Sequence, residues 1–182
     1  MASFFLVFAL YLQQGRGLDP LQAGLVFTIM AAAYVVASAR APQLAARLGR
    51  KLPTTGAVVL AAGHGLLAAT VLDIGTGHTV ALLVPALLLI GAGMGLVLTP
   101  LTSTVLANLT PASAGGASGA LSTVQQIGNA LGVAITGIIF YGALEHGLPH
   151  AFELSLAELA AVGLAVAACS RLLPTKRSGD VT

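Results

Sequence analysis

Four polar residues sit inside one long apolar stretch: Ser122, Gln125, Gln126 and Asn129. At 100° per residue they share one helix face within about 100° of arc. An amide in hydrocarbon needs a hydrogen-bond partner or water. The face is therefore either glue between helices, each bond worth roughly 0.6–2 kcal/mol, or the lining of a wet cavity. A second group is Glu158, about two turns, or roughly 10 Å, inside the last apolar stretch. An acid within a membrane is a functional hypothesis by default, here proton exchange. The alternative is an interfacial Glu158, in a helix that starts later, beside Glu153 near the headgroups. A third group is Arg47, Gly49, Arg50 and Lys51. Its cations suit anionic headgroups and helix C-terminal carbonyls, or simply set the topology.

Other chemistry is excluded by spacing. Gly116-Ala-Ser-Gly119 looks like a protease nucleophile motif, with His146 and His150 downstream. About 28 helical residues put Ser118 roughly 42 Å from those histidines, whereas nucleophile and base must touch. His64, between Gly63 and Gly65, reads as a packed histidine. His78, His146 and His150 form no metal set, and the lone Cys169 excludes a CxxC site or internal disulfide. No metal is expected. Asn108-Leu-Thr110 is a glycosylation sequon in letters only. Gly91-x-Gly93-x-Gly95 follows no strand, so it implies no dinucleotide site.

The elements that carry these groups follow from composition. Of 182 residues, 57% are hydrophobic and 8% charged, with a net charge of +2. Soluble domains carry roughly 25% charged residues, so an ordinary cytosolic enzyme, a nucleic-acid partner and a disordered chain are excluded. The lipid bilayer is the expected solvent. Six apolar segments are predicted as membrane helices, at about 3–13, 21–40, 54–72, 79–107, 117–144 and 151–173. They make one six-helix domain over 1–174, followed by a tail at 175–182. They are too long for barrel strands.

The first segment covers half a membrane and reads as a truncated helix, with Met1 as an internal methionine or a misplaced start. It lacks the basic start and cleavage site of a signal peptide. Asp19-Pro20-Leu21-Gln22 predicts a capping box with proline at the first helical position. Arg40, Arg47, Arg50, Lys51, Arg171, Lys176 and Arg177 share one side of a six-helix thread, and Arg16 stands alone on the other. The positive-inside rule then puts both termini in the cytoplasm. Gly91/Gly95 and Gly128/Gly132 are small-residue pairs suited to close packing. Pro100 predicts a kink, with Thr99, Ser103 and Thr104 close enough to serve the freed carbonyls.

The stretch from Ala41 to Pro53 resembles the G-x-L-A-D-R-x-G-R-K signature of the major facilitator superfamily, found between the second and third helices of a half. Leu44, Ala45, Arg47, Gly49, Arg50 and Lys51 match. Pro42 stands at the first glycine and Ala46 at the acid, which leaves the interhalf latch credited to this loop incomplete. Leu10–Gln13 with Leu18–Leu25, and Pro100–Thr102 with Ala114–Val133, resemble the C-terminal half of fourteen-span drug/proton antiporters of the EmrB/QacA type.

The resemblance implies an all-α half-transporter of two inverted three-helix repeats in a bacterial plasma membrane. It would export hydrophobic or amphiphilic compounds by alternating access. A proton gradient would drive it, with no cofactor. The substrate cavity would be lined by Tyr11, Gln13, Phe27, Tyr34, Thr99, Gln125, Gln126 and Asn129, with Glu158 the proton-coupling candidate. The expected partner is a missing N-terminal half or a second copy of a six-helix unit. The alternative is a non-transporting structural or regulatory membrane subunit, or an inactive truncated fragment.

Overall fold

The computed structural model of the chain describes residues 1–75, 77, 79–107 and 111–172, with backbone alone at 50, 104–107, 111–114 and 169–172. The tail at 175–182, His78, Asn108–Thr110, Lys176 and Arg177 lie outside the described residues. So do the side chains of Arg50, Thr104 and Arg171.

Six helices make up the described fold: α1 (Ala2–Leu10), α2 (Pro20–Leu48), α3 (Leu52–Ile74), α4 (Val84–Ala107), α5 (Pro111–Ala143) and α6 (Leu148–Leu172). Five of them are long and apolar enough to cross a membrane. α1 is shorter. It continues as one π-helical turn, Tyr11–Gly15, so the apolar rod ends at Gly15.

The start of α2 follows its residue types. The Asp19 carboxylate accepts from the Gln22 N–H at 2.8 Å, and the Gln22 side-chain oxygen accepts from the Asp19 N–H at 3.2 Å. Pro20 needs no partner at the first position. The end of α2 departs from the expected 21–40. The helix runs through Arg40 and Pro42 to Leu48, and a single 3-10 turn, Gly49–Lys51, leads into α3. Most of the signature stretch is therefore helix, and the turn falls at Gly49, where φ is +53°. Such a φ suits glycine, which has no Cβ to clash. Arg40, Arg47 and Lys51 are exposed at this basic end of the bundle.

α4 is the hub, and glycine is the reason. A Cβ on Gly91 would collide with the Met30 carbonyl oxygen of α2. On Gly95 it would lie 2.9 Å from Ala37 Cβ and from the Tyr34 carbonyl oxygen. Gly93 meets α3 at Leu60, while Gly56 and Gly63 of α3 meet Val97 and Ile90 of α4. Without side chains at these points the backbones close to van der Waals contact, the main source of helix association in lipid. α6 also packs on α3, with Gly163 against Ala61.

Cross-contacts give the depth of each element. Tyr11 bonds to Gly75 at the end of α3, and Phe4 packs on His64 about three turns lower. Ala57, Val97 and Ala167 cluster nearer the basic end. The core follows α1: Phe4, Phe8, Tyr11 and Phe152 stack in sequence, with Leu67, Leu87, Ile90 and Leu156 buried around them. Val35, Leu72, Ile138 and Val162 are exposed large hydrophobics. That is a liability in water and normal in lipid.

Pro100 lies inside α4. The expected service by nearby hydroxyls takes a different form. The Thr102 hydroxyl donates to the Leu98 carbonyl at 3.0 Å, and the Ser103 hydroxyl to the Pro100 carbonyl at 3.1 Å.

Candidate functional site

α5 leans on the bundle by one end only. Thr136, Phe140 and Ala143 are buried against α1 and α6. From Gly115 to Leu131 no residue is buried. The two small-residue pairs of the sequence therefore part company. Gly91 and Gly95 are pressed against α2, whereas a Cβ on Gly128 meets nothing within 4 Å and one on Gly132 meets only Ser3 Oγ.

On this bare length Ser122, Gln125 and Gln126 are exposed and Asn129 half-buried. Val124, Ile127 and Leu131 are exposed as well. The helix thus shows a polar stripe beside an apolar one, with no covering from the rest of the bundle. Among the described residues no helix covers the exposed amides.

Phe27 and Tyr34 come together elsewhere. They line an open cavity of about 410 Å³ between α1, α2 and α4, with Phe5, Met30, Met94 and Leu98. Phe27 stacks on Phe5 at 5.5 Å and meets Phe8 edge-on at 5.3 Å. Thr99 follows Leu98 and is half-buried. Such a lining can hold an apolar or aromatic molecule. The sequence reading missed Phe5, Met30, Met94 and Leu98 here. The apolar spacing of α1, α2 and α4 was visible, but which faces meet was not.

Tyr11 and Gln13 join neither group. Tyr11 is fully buried. Its hydroxyl donates to the Gly75 carbonyl at 2.6 Å and accepts from Arg16 Nη1 at 3.2 Å, and its ring stacks on Phe152 at 4.5 Å. It ties α1 to the ends of α3 and α6. Gln13 is exposed in the π turn.

Glu158 has a partner that the sequence reading did not name. Its Oε2 accepts from the Thr136 hydroxyl at 2.9 Å, and Thr136 is fully buried. α6 begins at Leu148, so Glu158 stands about 15 Å along it. A signal for this pair was present. Thr136 and Glu158 are equally far from Gly147, where the α5–α6 hairpin turns, so they share a level.

His64 is 5% exposed, and its ring meets Phe4 edge-on at 5.2 Å. Neither nitrogen has a hydrogen-bond partner among the described residues. At the Gly147 turn His146 and His150 lie 5.7 Å apart, beside Glu145 and Glu153 respectively. No group of three or more metal-ligating side chains occurs among the described residues. The Ser118–His146 separation stands, since one continuous α5 lies between them.

Comparison with known proteins adds the following. The sequence profile of the Major Facilitator Superfamily matches residues 1–133. A probable actinorhodin transporter of Streptomyces coelicolor is 36% identical over 177 residues, which cover 94% of this chain and 31% of that protein. The puromycin resistance protein pur8 of Streptomyces alboniger is 35% identical over 143 residues, 76% of this chain and 28% of the relative. The drug efflux pump JefA of Mycobacterium tuberculosis is 33% identical over 153 residues, 82% of this chain and 29% of the relative. The chain spans about a third of the length of these curated relatives.

Proposed function

The chain belongs to the major facilitator superfamily, an integral membrane transport family rather than a family of enzymes, and we propose that it works as one six-helix half of a proton-coupled drug exporter. The cargo is a hydrophobic or amphiphilic, drug-like compound. The branch is the fourteen-span EmrB/QacA type, and α1–α3 and α4–α6 are two inverted repeats. Both termini face the cytoplasm, with the basic end of the bundle on that side. The relatives named for antibiotic transport, puromycin resistance and drug efflux support the cargo class.

One observation carries the reading: the uncovered length of α5. Gln125, Gln126 and Ser122 stand exposed on a helix apolar enough to span a membrane. Lipid cannot satisfy amides. Water in a translocation pathway can, and so can the facing surface of a second six-helix half. The cavity of Phe27 and Tyr34 supplies an apolar seat on the same chain. Within this scheme Glu158 carries the exchanged proton, held by Thr136 on the α5–α6 interface. Arg47, Arg50 and Lys51 serve the contact between halves at the cytoplasmic surface.

The test is efflux of a cationic dye from cells that make the transporter containing this chain. Joint replacement of Gln125 and Gln126 by leucine is expected to abolish efflux while the protein still reaches the membrane. Undiminished efflux by that variant overturns the reading.

A further inference from the structure

The turn between α5 and α6 gathers four ionisable side chains that the transport scheme leaves unused. The 3-10 turn Leu144–His146 closes on Gly147, where φ is +101°, and α6 starts at Leu148. The Gly147 N–H donates to the Leu144 carbonyl at 2.9 Å, and the Ala151 N–H to the Gly147 carbonyl at 3.1 Å. Backbone bonds on both sides therefore fix where His146 and His150 stand. Their rings lie 5.7 Å apart, centre to centre. In the sequence the two share no helix, which is why their spacing offered no metal set. The turn brings them together.

The separation suits one shared cation. A metal roughly 2.0–2.1 Å from a ring nitrogen lies about 3.2 Å from that ring's centre, so two rings on one tetrahedral ion have centres about 5.2 Å apart. The observed 5.7 Å is greater by about half an ångström. Small torsions close that gap, because the side chains are 66% and 47% exposed.

Each ring also has a carboxylate beside one nitrogen. His146 Nδ1 is 3.7 Å from Glu145 Oε1, and His150 Nδ1 is 3.8 Å from Glu153 Oε2. As bare ion pairs these contacts are worth little on so exposed a surface. A metal-bound histidine, however, commonly gives its second N–H to a carboxylate, which fixes the ring and raises its basicity. Here both rings have that partner at Nδ1 and keep Nε2 for an ion. A cleft of about 270 Å³ opens beside the pair, lined by both histidines, Glu153, Pro149 and the end of α3 at Leu72 and Gly75. It has room for water on the ion. No group of three or more protein ligands forms among the described residues, so water completes the shell and the ion stays exchangeable.

We propose that His146 and His150 bind one late first-row divalent cation, Zn²⁺ or Cu²⁺, through Nε2, with Glu145 and Glu153 orienting the rings. Imidazole donors select such metals over Mg²⁺ and Ca²⁺, which take oxygen ligands. The ion pins the first turn of α6 to the turn before it. The site does not depend on the transport reading.

The test is calorimetric titration of Zn²⁺ into the transporter containing this chain, in detergent micelles and without a polyhistidine tag. One saturable site at the pair is expected. His146→Ala and His150→Ala are each expected to weaken it at least about tenfold, since either change turns two linked contacts into one. For the same reason the double variant is expected to lose little more. Glu153→Gln is expected to weaken it about tenfold, the usual weight of a carboxylate behind a ligating histidine. His78→Ala is expected to leave it unchanged. An isotherm that neither His146→Ala nor His150→Ala alters overturns the site, as does a loss caused by His78→Ala alone. Cu²⁺ gives a second reading. Electron paramagnetic resonance at one equivalent is expected to show splitting from two ring nitrogens, and splitting from one nitrogen or none overturns the shared ion.

Discussion

Gly91 and Gly128 look alike in the sequence, each opening a Gly-x-x-x-Gly pair in an apolar helix, yet alanine at the two positions has opposite expected effects. At Gly91 the new methyl collides with the Met30 carbonyl oxygen and sits 3.0 Å from Ala33 Cβ. A carbonyl on a helix backbone cannot rotate away, so α2 and α4 must separate. Alanine gains about 1 kcal/mol of helix propensity over glycine. Overpacking costs about 1–3 kcal/mol, and a backbone clash belongs at the upper end. The net expectation is a loss of about 2 kcal/mol. At Gly128 nothing lies within 4 Å, so the propensity gain stands alone and the bundle is unchanged or slightly more stable. Denaturant unfolding in detergent micelles, followed by helicity, reads both variants of this chain. Equal midpoints for Gly91→Ala and the parent, or a larger loss for Gly128→Ala, would refute the packing assigned to α4.

Two further substitutions separate structure from transport. Glu158→Gln keeps an acceptor for Thr136 but gives up the exchangeable proton. Stability should stay within about 0.5 kcal/mol, while dye efflux by the complete transporter loses its response to an imposed proton gradient; a retained response removes Glu158 from the coupling. Tyr11→Phe keeps the stack on Phe152 and deletes the bond to Gly75. A loss of about 1 kcal/mol is expected in micelle unfolding, and no loss would show that this bond does not hold α1 to α3.

What could be read from residues alone was set by strong local physics. Asp19, Pro20 and Gln22 announce the start of α2, because their bonds need no other helix. The extension of α2 to Leu48 was hidden by Arg40 and Pro42. A charge and a proline resemble a span's end, yet the backbone tolerates both where the helix leaves the apolar layer. The candidate site was legible only in part. Periodicity put Gln125, Gln126 and Asn129 on one face of α5, but it did not show that no described helix buries Gln125 and Gln126. Tyr11 is a cavity residue only by the family resemblance. Its hydroxyl reaches from the π turn after α1 to the end of α3, a contact between residues far apart in sequence that no local pattern reports. The same holds for Phe5, Met94 and Leu98 around Phe27 and Tyr34.

The central claim is that the amide face of α5 meets water in a pathway rather than lipid. Single cysteines at Gln125 and at Ile138, in a Cys169→Ala background of the complete transporter, test it with a membrane-impermeant maleimide. Ile138 is 76% exposed on an apolar surface and serves as the lipid-facing reference. Rapid labelling at position 125, slowed by a bound cationic dye, with position 138 unreactive, is the predicted result. Protection of position 125 to the same degree as position 138, in every state of the transporter, would contradict it.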